Sequence, residues 1–402
     1  MRDWANYRHY GWVIAIAMLL VQTVSSGLGF YNMSVYMSFF ARELDASLDA
    51  ISLSVSLFFI SGGVAGLFVA RLLERWDIRT IMVIGASVSG VALLLIGRTS
   101  NLYELYALFT LFGIGNTGVS IVVATSLITQ WFPDERRSVA LSISSTGLSL
   151  GGVLITPYTA YLFDKTGIFE AMPLLGVIFV VGIVPIVILF IRPPVTLQAV
   201  KETKRNFEME YLLARKSRFF VCVTTAYVLI MAAQVGGIAH LYNRVDALGG
   251  LGVAAGSIQA LTLASISGRL LGGWLLTRIT IRPFLFFNLL IQLLGLFLIG
   301  FSEMSEVAII SSIFFGFSVG NLLMLQPLWL AEIYPSNIYP RLFALSNAYS
   351  VIGVASGPYL LGLVYVNSDY SVAYLVASVV SLTALVIIYS AGQPVSKVQS
   401  KL

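Results

Sequence analysis

Apolar runs of about 20 residues recur along nearly the whole chain, the length a helix needs to cross a bilayer. They are separated by short stretches rich in Gly, Pro, Asn, Asp, Lys and Arg. The pattern predicts helices over 11–40, 50–70, 80–97, 103–129, 138–162, 171–191, 218–242, 252–276, 283–301, 305–330, 342–366 and 371–391. One long polar stretch interrupts the series, Arg192 to Ser217, with Arg192, Lys201, Lys204, Arg205, Arg215 and Lys216. It predicts an N-terminal six-helix half (1–191), a linker (192–217) and a C-terminal six-helix half (218–402). Within the linker, Lys201–Arg215 reads as a surface amphipathic helix.

A displaced copy of the pattern supports the two halves. Residues 70–79, ARLLERWDIR, align with 273–282, GWLLTRITIR, keeping the Leu-Leu pair, both late Arg and the Ile. At nearly the same separation, Trp131-Phe132-Pro133 matches Ile333-Tyr334-Pro335, and Thr156-Pro157-Tyr158 matches Gly357-Pro358-Tyr359. Parallel repeats of this kind describe two bundles related by an axis along the membrane normal, with substrate between them near the midplane.

Composition excludes a soluble fold. Hydrophobic residues make up 58% and charged residues 11%, against roughly 25% charged in soluble domains. The expected class is therefore an all-α, multi-pass membrane protein of about twelve helices. The first apolar run is too long for a cleavable signal and predicts a retained span. The single cysteine, Cys222, lies in an apolar run and excludes an intrachain disulfide or a cysteine-based metal cluster.

Charge changes the picture in two ways. The net charge of +5 would suggest nucleic acid in a soluble protein; here it reflects loop topology. With both termini cytoplasmic, every Lys and Arg except Arg42, Arg98, Lys165, Arg244 and Arg269 falls on the cytoplasmic side, as the positive-inside rule requires. This predicts a protein of the cytoplasmic (inner) membrane. All Asp and Glu fall in loops or at span ends, so Arg269 is the one formal charge expected deep within a span.

Six plus six spans, a basic central linker and paired basic loops resemble the major facilitator superfamily. Its signature between spans two and three is Gly-x-x-x-Asp-Arg-x-Gly-x-Arg. Arg75 and Arg79 match the basic positions, with Ala70, Glu74 and Asp77 replacing the first Gly, the Asp and the second Gly. In the second half Gly273, Arg278 and Arg282 match, while Thr277 and Thr280 replace the Asp and the second Gly. The resemblance implies that Glu74, Arg75, Asp77, Arg79, Arg278 and Arg282 gate the inner side. A narrower resemblance, to the monocarboxylate porters and oxalate:formate antiporters, rests on Ala239-His240-Leu241 with Gly268-Arg269-Leu270-Leu271-Gly272, and on Trp131-Phe132-Pro133 before Arg136-Arg137. In that branch the span-eight Arg pairs with a substrate carboxylate. Ser265 stands where proton-coupled members carry Asp, and 342–366 holds no Lys where dicarboxylate binders have one.

The candidate chemistry follows. Arg269 stays charged at any accessible pH and can hold a carboxylate bidentately. By about 1.5 Å per residue it lies roughly 13 Å inside the end marked by Arg278, too deep to snorkel comfortably. An uncompensated Arg there costs at least about 2.5–3.5 kcal/mol. Its compensation must be a substrate anion, water or carbonyl dipoles. His240 can titrate near neutrality and serve as a proton site or second donor. Tyr31 and Gln234 occupy matching places in spans one and seven, which line the cavity in the superfamily. Asn321 and Asn347 are weaker polar candidates, as are Gln326 and Tyr349. Gly113-x-Gly115-x-x-Gly118 lacks the strand that a dinucleotide site needs. No Ser–His–Asp arrangement, paired acids or metal set lies within the spans. The expectation is a secondary transporter and not an enzyme, a monomer without cofactor, nucleic acid or metal, that carries a small organic anion with protons as a candidate second partner. The alternative is a carrier of neutral or cationic compounds in which Arg269 is structural.

Overall fold

A computed structural model describes residues 2–46, 48–132, 136–193 and 204–392. Pro133 and residues 194–203 of the predicted linker lie outside the described residues. All regular structure among the described residues is helical. The chain separates into two compact units, Met1–Lys201 and Glu202–Leu402.

In the first unit, span one is α1 (Arg2–Ser26), a π-helical segment (Gly27–Tyr31) and α2 (Met33–Glu43). Then follow α3 (Leu48–Leu72), α4 (Ile78–Ile96), α5 (Leu102–Thr117), α6 (Ile121–Trp131), α7 (Arg137–Thr166) and α8 (Ile168–Phe190). The second unit comprises α9 (Lys204–Arg215), α10 (Arg218–Gly249), α11 (Leu251–Leu275), α12 (Ile281–Phe301), α13 (Ser305–Ile333), α14 (Tyr339–Asn367) and α15 (Tyr370–Ser390). Eleven segments among the described residues are long and apolar enough to cross a membrane. The twelfth span is α11, 25 residues long and carrying Arg269.

Helix starts follow local capping chemistry. Asp77 accepts from the Arg79 backbone N–H at the head of α4. Asn101 accepts from Glu104 N, and the Glu104 carboxylate accepts from Ser100 N, closing the first turn of α5 from both sides. Asp369 accepts from Val372 N at the head of α15. Arg244, at the far end of α10, donates to the Ile299, Gly300 and Ser302 carbonyls and so caps the C-terminus of α12.

Glycines set the packing. A Cβ at Gly113 of α5 would strike the Phe58 carbonyl of α3; one at Gly316 of α13 would strike the Leu261 carbonyl of α11. The second pair follows the first by 203 residues in both members. The sequence repeat is thus a repeat of backbone contacts, and small residues in membranes serve this close approach.

Two predicted continuous helices are interrupted. Span one widens into the π segment, where Asn32 N bonds Gly27 O at 3.1 Å, five residues back. The predicted 103–129 helix breaks at Gly118–Ser120. Ser120 restarts it by accepting from Val122 N. Gln22 of α1 spans the break: in the amide orientation that satisfies both groups, it donates to Val119 O at 3.1 Å and accepts from Ile121 N at 3.2 Å. Ser25 adds a bond to Asn116 Oδ1 at 2.7 Å. Broken backbone at membrane depth survives only where protein groups re-satisfy it.

The linker helix is docked. Glu208 of α9 pairs with Arg341 of α14 at 2.8 Å, and the Arg341 guanidinium lies 5.7 Å from the Tyr211 ring centroid.

Candidate functional site

The seam between α11 and α13 positions Arg269. Gly268 lies against the Phe317 carbonyl, Gly272 against Asn321 Oδ1 and Gly320 against the Ser265 carbonyl. With no side chains between them, the backbones approach closely enough for Arg269 Nε to donate to Gly320 O at 3.1 Å. Arg269 is fully buried and heads the large buried side chains by volume. Of the compensations expected for it, a carbonyl dipole is present.

Two buried amides follow, Asn321 on α13 and Gln234 on α10. Asn321 is fully buried; its Nδ2 donates to Phe317 O at 3.0 Å, and its Oδ1 has no hydrogen bond. Gln234 is 1% exposed, and neither Nε2 nor Oε1 has a hydrogen-bond partner. Its level follows from its flanks on α10. Tyr227 donates to Leu322 O at 3.2 Å, and the Phe315 ring lies 3.2 Å from a Cβ built on Gly237. Gln234 lies between them, within about one helical turn of Gly320.

His240 is elsewhere. It sits about 9 Å beyond Gln234 along α10. Its Nε2 lies 3.0 Å from Pro358 O, and its ring centroid is 6.1 Å from that of Tyr370, which stacks on Tyr365 at 4.0 Å. Bonding a carbonyl requires the proton on Nε2, so Nδ1 is left as an acceptor without a hydrogen bond. Asn347 is half-buried on α14. Its neighbour Ser346 accepts from Thr224 and Gln326, and Gln326 also bonds Ser350. This closed network joins α10, α13 and α14. Sequence reasoning singled out Gln326 but not Thr224, Ser346 or Ser350, since small hydroxyls in apolar runs carry no distinctive spacing. It also passed over Asn288 and Gln292 on α12, both fully buried.

In the first unit, Tyr31 ends the π segment and is half-buried. Its ring lies 2.8 Å from a Cβ built on Gly152 of α7, so that glycine makes room for it.

The two basic loops differ. In the first, Arg79 donates from Nη2 to Asp77 at 2.8 Å and from Nε to both carboxylate oxygens. The Arg79 bond holds the Asp77 carboxyl below its usual pKa. Glu74 and Arg75 lie in the turn leading to it. In the second loop Thr280 makes no side-chain cap, and Thr277 turns back to donate to Trp274 O at 2.7 Å. Arg278 lies 4.6 Å from the Trp274 ring centroid, and Arg282 lies 5.8 Å from that of Phe286.

The sequence matches the family model described as Major Facilitator Superfamily over residues 19–327 and again over 258–402. The chain belongs to the major facilitator superfamily. It is 24% identical over 369 residues to the uncharacterized MFS-type transporter YhjX of Escherichia coli, covering 88% of this chain and 86% of that one. It is 23% identical over 174 residues to human monocarboxylate transporter 14, covering 42% of this chain and 33% of that one. Solved structures of FucP, one described as the E. coli fucose:proton symporter, share the fold at 13–14% identity with TM-scores of 0.79 and 0.76, covering 95% of this chain and 98% of that one.

As a superfamily member the protein is a multi-pass secondary transporter of a small molecule and not an enzyme. Arg269, Asn321 and Gln234 give the second unit a buried permanent cation, one amide with an unused acceptor and one amide wholly unused. Such a set can bind and orient a small polar anion.

Proposed function

We propose that the protein carries a small monocarboxylate across the cytoplasmic membrane by alternating access, with Arg269 holding the carboxylate. The observation that carries this reading is the full burial of a group that cannot be neutralised, set on α11. A carbonyl dipole such as that of Gly320, at 3.1 Å from Nε, meets a guanidinium N–H without neutralising the charge, which a carboxylate would do. Similarity to a human monocarboxylate transporter over part of the chain supports the same class. Gln234 and Asn321 serve as polar contacts, and Tyr31 and Asn347 as further candidates from their own helices.

The two halves rock about the site, with both termini cytoplasmic and the loops at 70–79 and 273–282 holding the inner side closed. Residues 192–217 form the connection, and the working unit is the monomer. No acid lies mid-span. Coupling is therefore by anion exchange, or by a proton carried on His240 Nδ1 or by the substrate. A second reading, a neutral solute with Arg269 structural, draws on the fucose:proton symporter fold and on the Gly320 bond.

Uptake of a labelled monocarboxylate panel in proteoliposomes, wild type against Arg269→Lys, separates the two. Carboxylate uptake lost in the variant supports the anion reading. Carriage of neutral solutes alone, equal in both proteins, overturns it.

A further inference from the structure

The helix α9 is not a span, yet it presents large apolar side chains outward. Met209 is 61% exposed and Leu213 is 66% exposed. Four residues apart, they share one face of the helix. Tyr211 lies roughly 160° round the helix from both. On that other side α9 meets α14, where Glu208 pairs with Arg341 at 2.8 Å and the Arg341 guanidinium lies 5.7 Å from the Tyr211 ring centroid. The apolar pair therefore points away from the helix that holds α9.

The tether of α9 sets its level. Only Lys216 and Ser217 separate it from α10, whose apolar crossing segment begins at Arg218. The connection is a tight turn and not an extended strap: Lys216 N bonds Leu213 O at 3.2 Å and Ser217 N bonds Ala214 O at 3.1 Å. Ser217 is itself fixed. Its hydroxyl accepts from Phe220 N at 3.2 Å, at the head of α10, and lies 2.9 Å from the Tyr334 hydroxyl. The C-terminal end of α9 is thus held where span seven enters the headgroup layer, a zone only about 5–8 Å thick.

The charge at this end is positive. Arg215, Lys216 and Arg218 are exposed. The Arg215 guanidinium lies 5.9 Å from the Tyr211 ring centroid that Arg341 also approaches, so two cations share one ring. Against these four basic groups the described part of α9 carries two acids, Glu208 and Glu210. An exposed apolar stripe beside an excess of Lys and Arg, at the bilayer surface, is the pattern of a helix that lies in the interface and favours anionic lipid.

We propose that α9 is an interfacial anchor for anionic phospholipid. Met209 and Leu213 seat at the boundary between headgroups and acyl chains, while Arg215, Lys216 and Arg218 hold headgroup phosphates. The leaflet is the cytoplasmic one in the orientation proposed above. Lipid charge then sets how firmly the connection between the two halves is held to the membrane.

The test uses the full-length protein in nanodiscs of phosphatidylcholine, with and without added phosphatidylglycerol. Hydrogen exchange across 204–215 is expected to slow by about fivefold or more where phosphatidylglycerol is present. Arg215→Gln combined with Lys216→Gln should remove that difference, and Leu213→Glu should speed exchange in both discs. A fluorophore on Leu213→Cys, in a Cys222→Ser background, should be quenched by lipids with brominated acyl chains. Equal exchange in the two discs overturns the proposal, as does a difference that survives the double substitution. The same slowing by inorganic phosphate added to phosphatidylcholine discs overturns it too, since the ligand would then be a free anion. A fluorophore that brominated chains leave unquenched overturns the seating of the apolar pair. Thermal unfolding checks that the variants fold; should the double variant fail, the wild-type comparison and the phosphate control decide.

Discussion

Arg269 on α11 donates through Nε to the main-chain carbonyl of Gly320 on α13, at 3.1 Å, from a position with no solvent exposure. The bond depends on what is missing around it. A Cβ at Gly320 would strike the Ser265 carbonyl, and one at Gly272 would strike Asn321 Oδ1. The guanidinium is placed by glycines as much as by its own side chain.

Gly272→Ala and Gly320→Ala should therefore each destabilise the protein by about 1–3 kcal/mol through overpacking. Gly320→Ala should in addition reduce carboxylate affinity, because α11 must withdraw from the carbonyl that orients Arg269. Gly66→Ala is the control, since a Cβ there meets only Thr117 Cγ2 at 3.6 Å. Thermal unfolding in detergent and uptake kinetics read the two effects separately.

Gln22→Leu should lower stability by about 1–3 kcal/mol, since it leaves the Val119 carbonyl and Ile121 N–H at the break between α5 and α6 unmet inside the bundle. Gln22→Glu keeps the acceptor but loses the donor and should fall between. Hydrogen exchange at residues 119–124 checks the site of damage: faster exchange confined to that stretch is expected.

Glu208→Gln should change global stability by less than about 1 kcal/mol, because the bond to Arg341 is partly exposed and screened. It should nevertheless speed hydrogen exchange across 204–215, as α9 loses its ionic tie to α14. Unchanged exchange there would mean that Tyr211 alone holds the helix.

Asp77 offers a test in acid. Its folded-state pKa lies below the ordinary carboxylate value because Arg79 bonds the ionised form. The bond therefore stabilises above about pH 4, where the unfolded carboxyl is ionised, and is lost as pH falls through the lowered pKa. Both groups are more than a third exposed, so solvent screening keeps the contribution under about 1 kcal/mol. Asp77→Asn should flatten the acid limb of Tm against pH between pH 5 and pH 3 while retaining the cap, with Tm at pH 7 slightly reduced.

Much of the architecture was legible in the order of residues, because a bilayer enforces it. Each crossing must bury its backbone in a helix of about 20 apolar residues, and that length is written openly in the chain. The duplication was legible too, and Gly113 against Phe58 with Gly316 against Leu261 gives its physical content. The single deep charge at Arg269 needed only a count of acids.

Other features arise between helices and have no local signature. The break at Gly118–Ser120 lies inside an uninterrupted apolar run. It is tolerated because Gln22, far away in sequence, supplies both missing bonds. The π segment at Gly27–Tyr31 has its glycines in the sequence, but its widened hydrogen bond depends on how α1 packs against α7. Gln234 and Gln326 look alike as lone amides in apolar spans. Tertiary packing alone gives Gln326 two serine partners and leaves Gln234 with none. The sequence by itself determined an all-helical chain of membrane-crossing segments and the one charge deep within a span, Arg269. Only the tertiary structure decided which buried polar groups are already satisfied, because that depends on neighbours brought together from distant turns of separate helices.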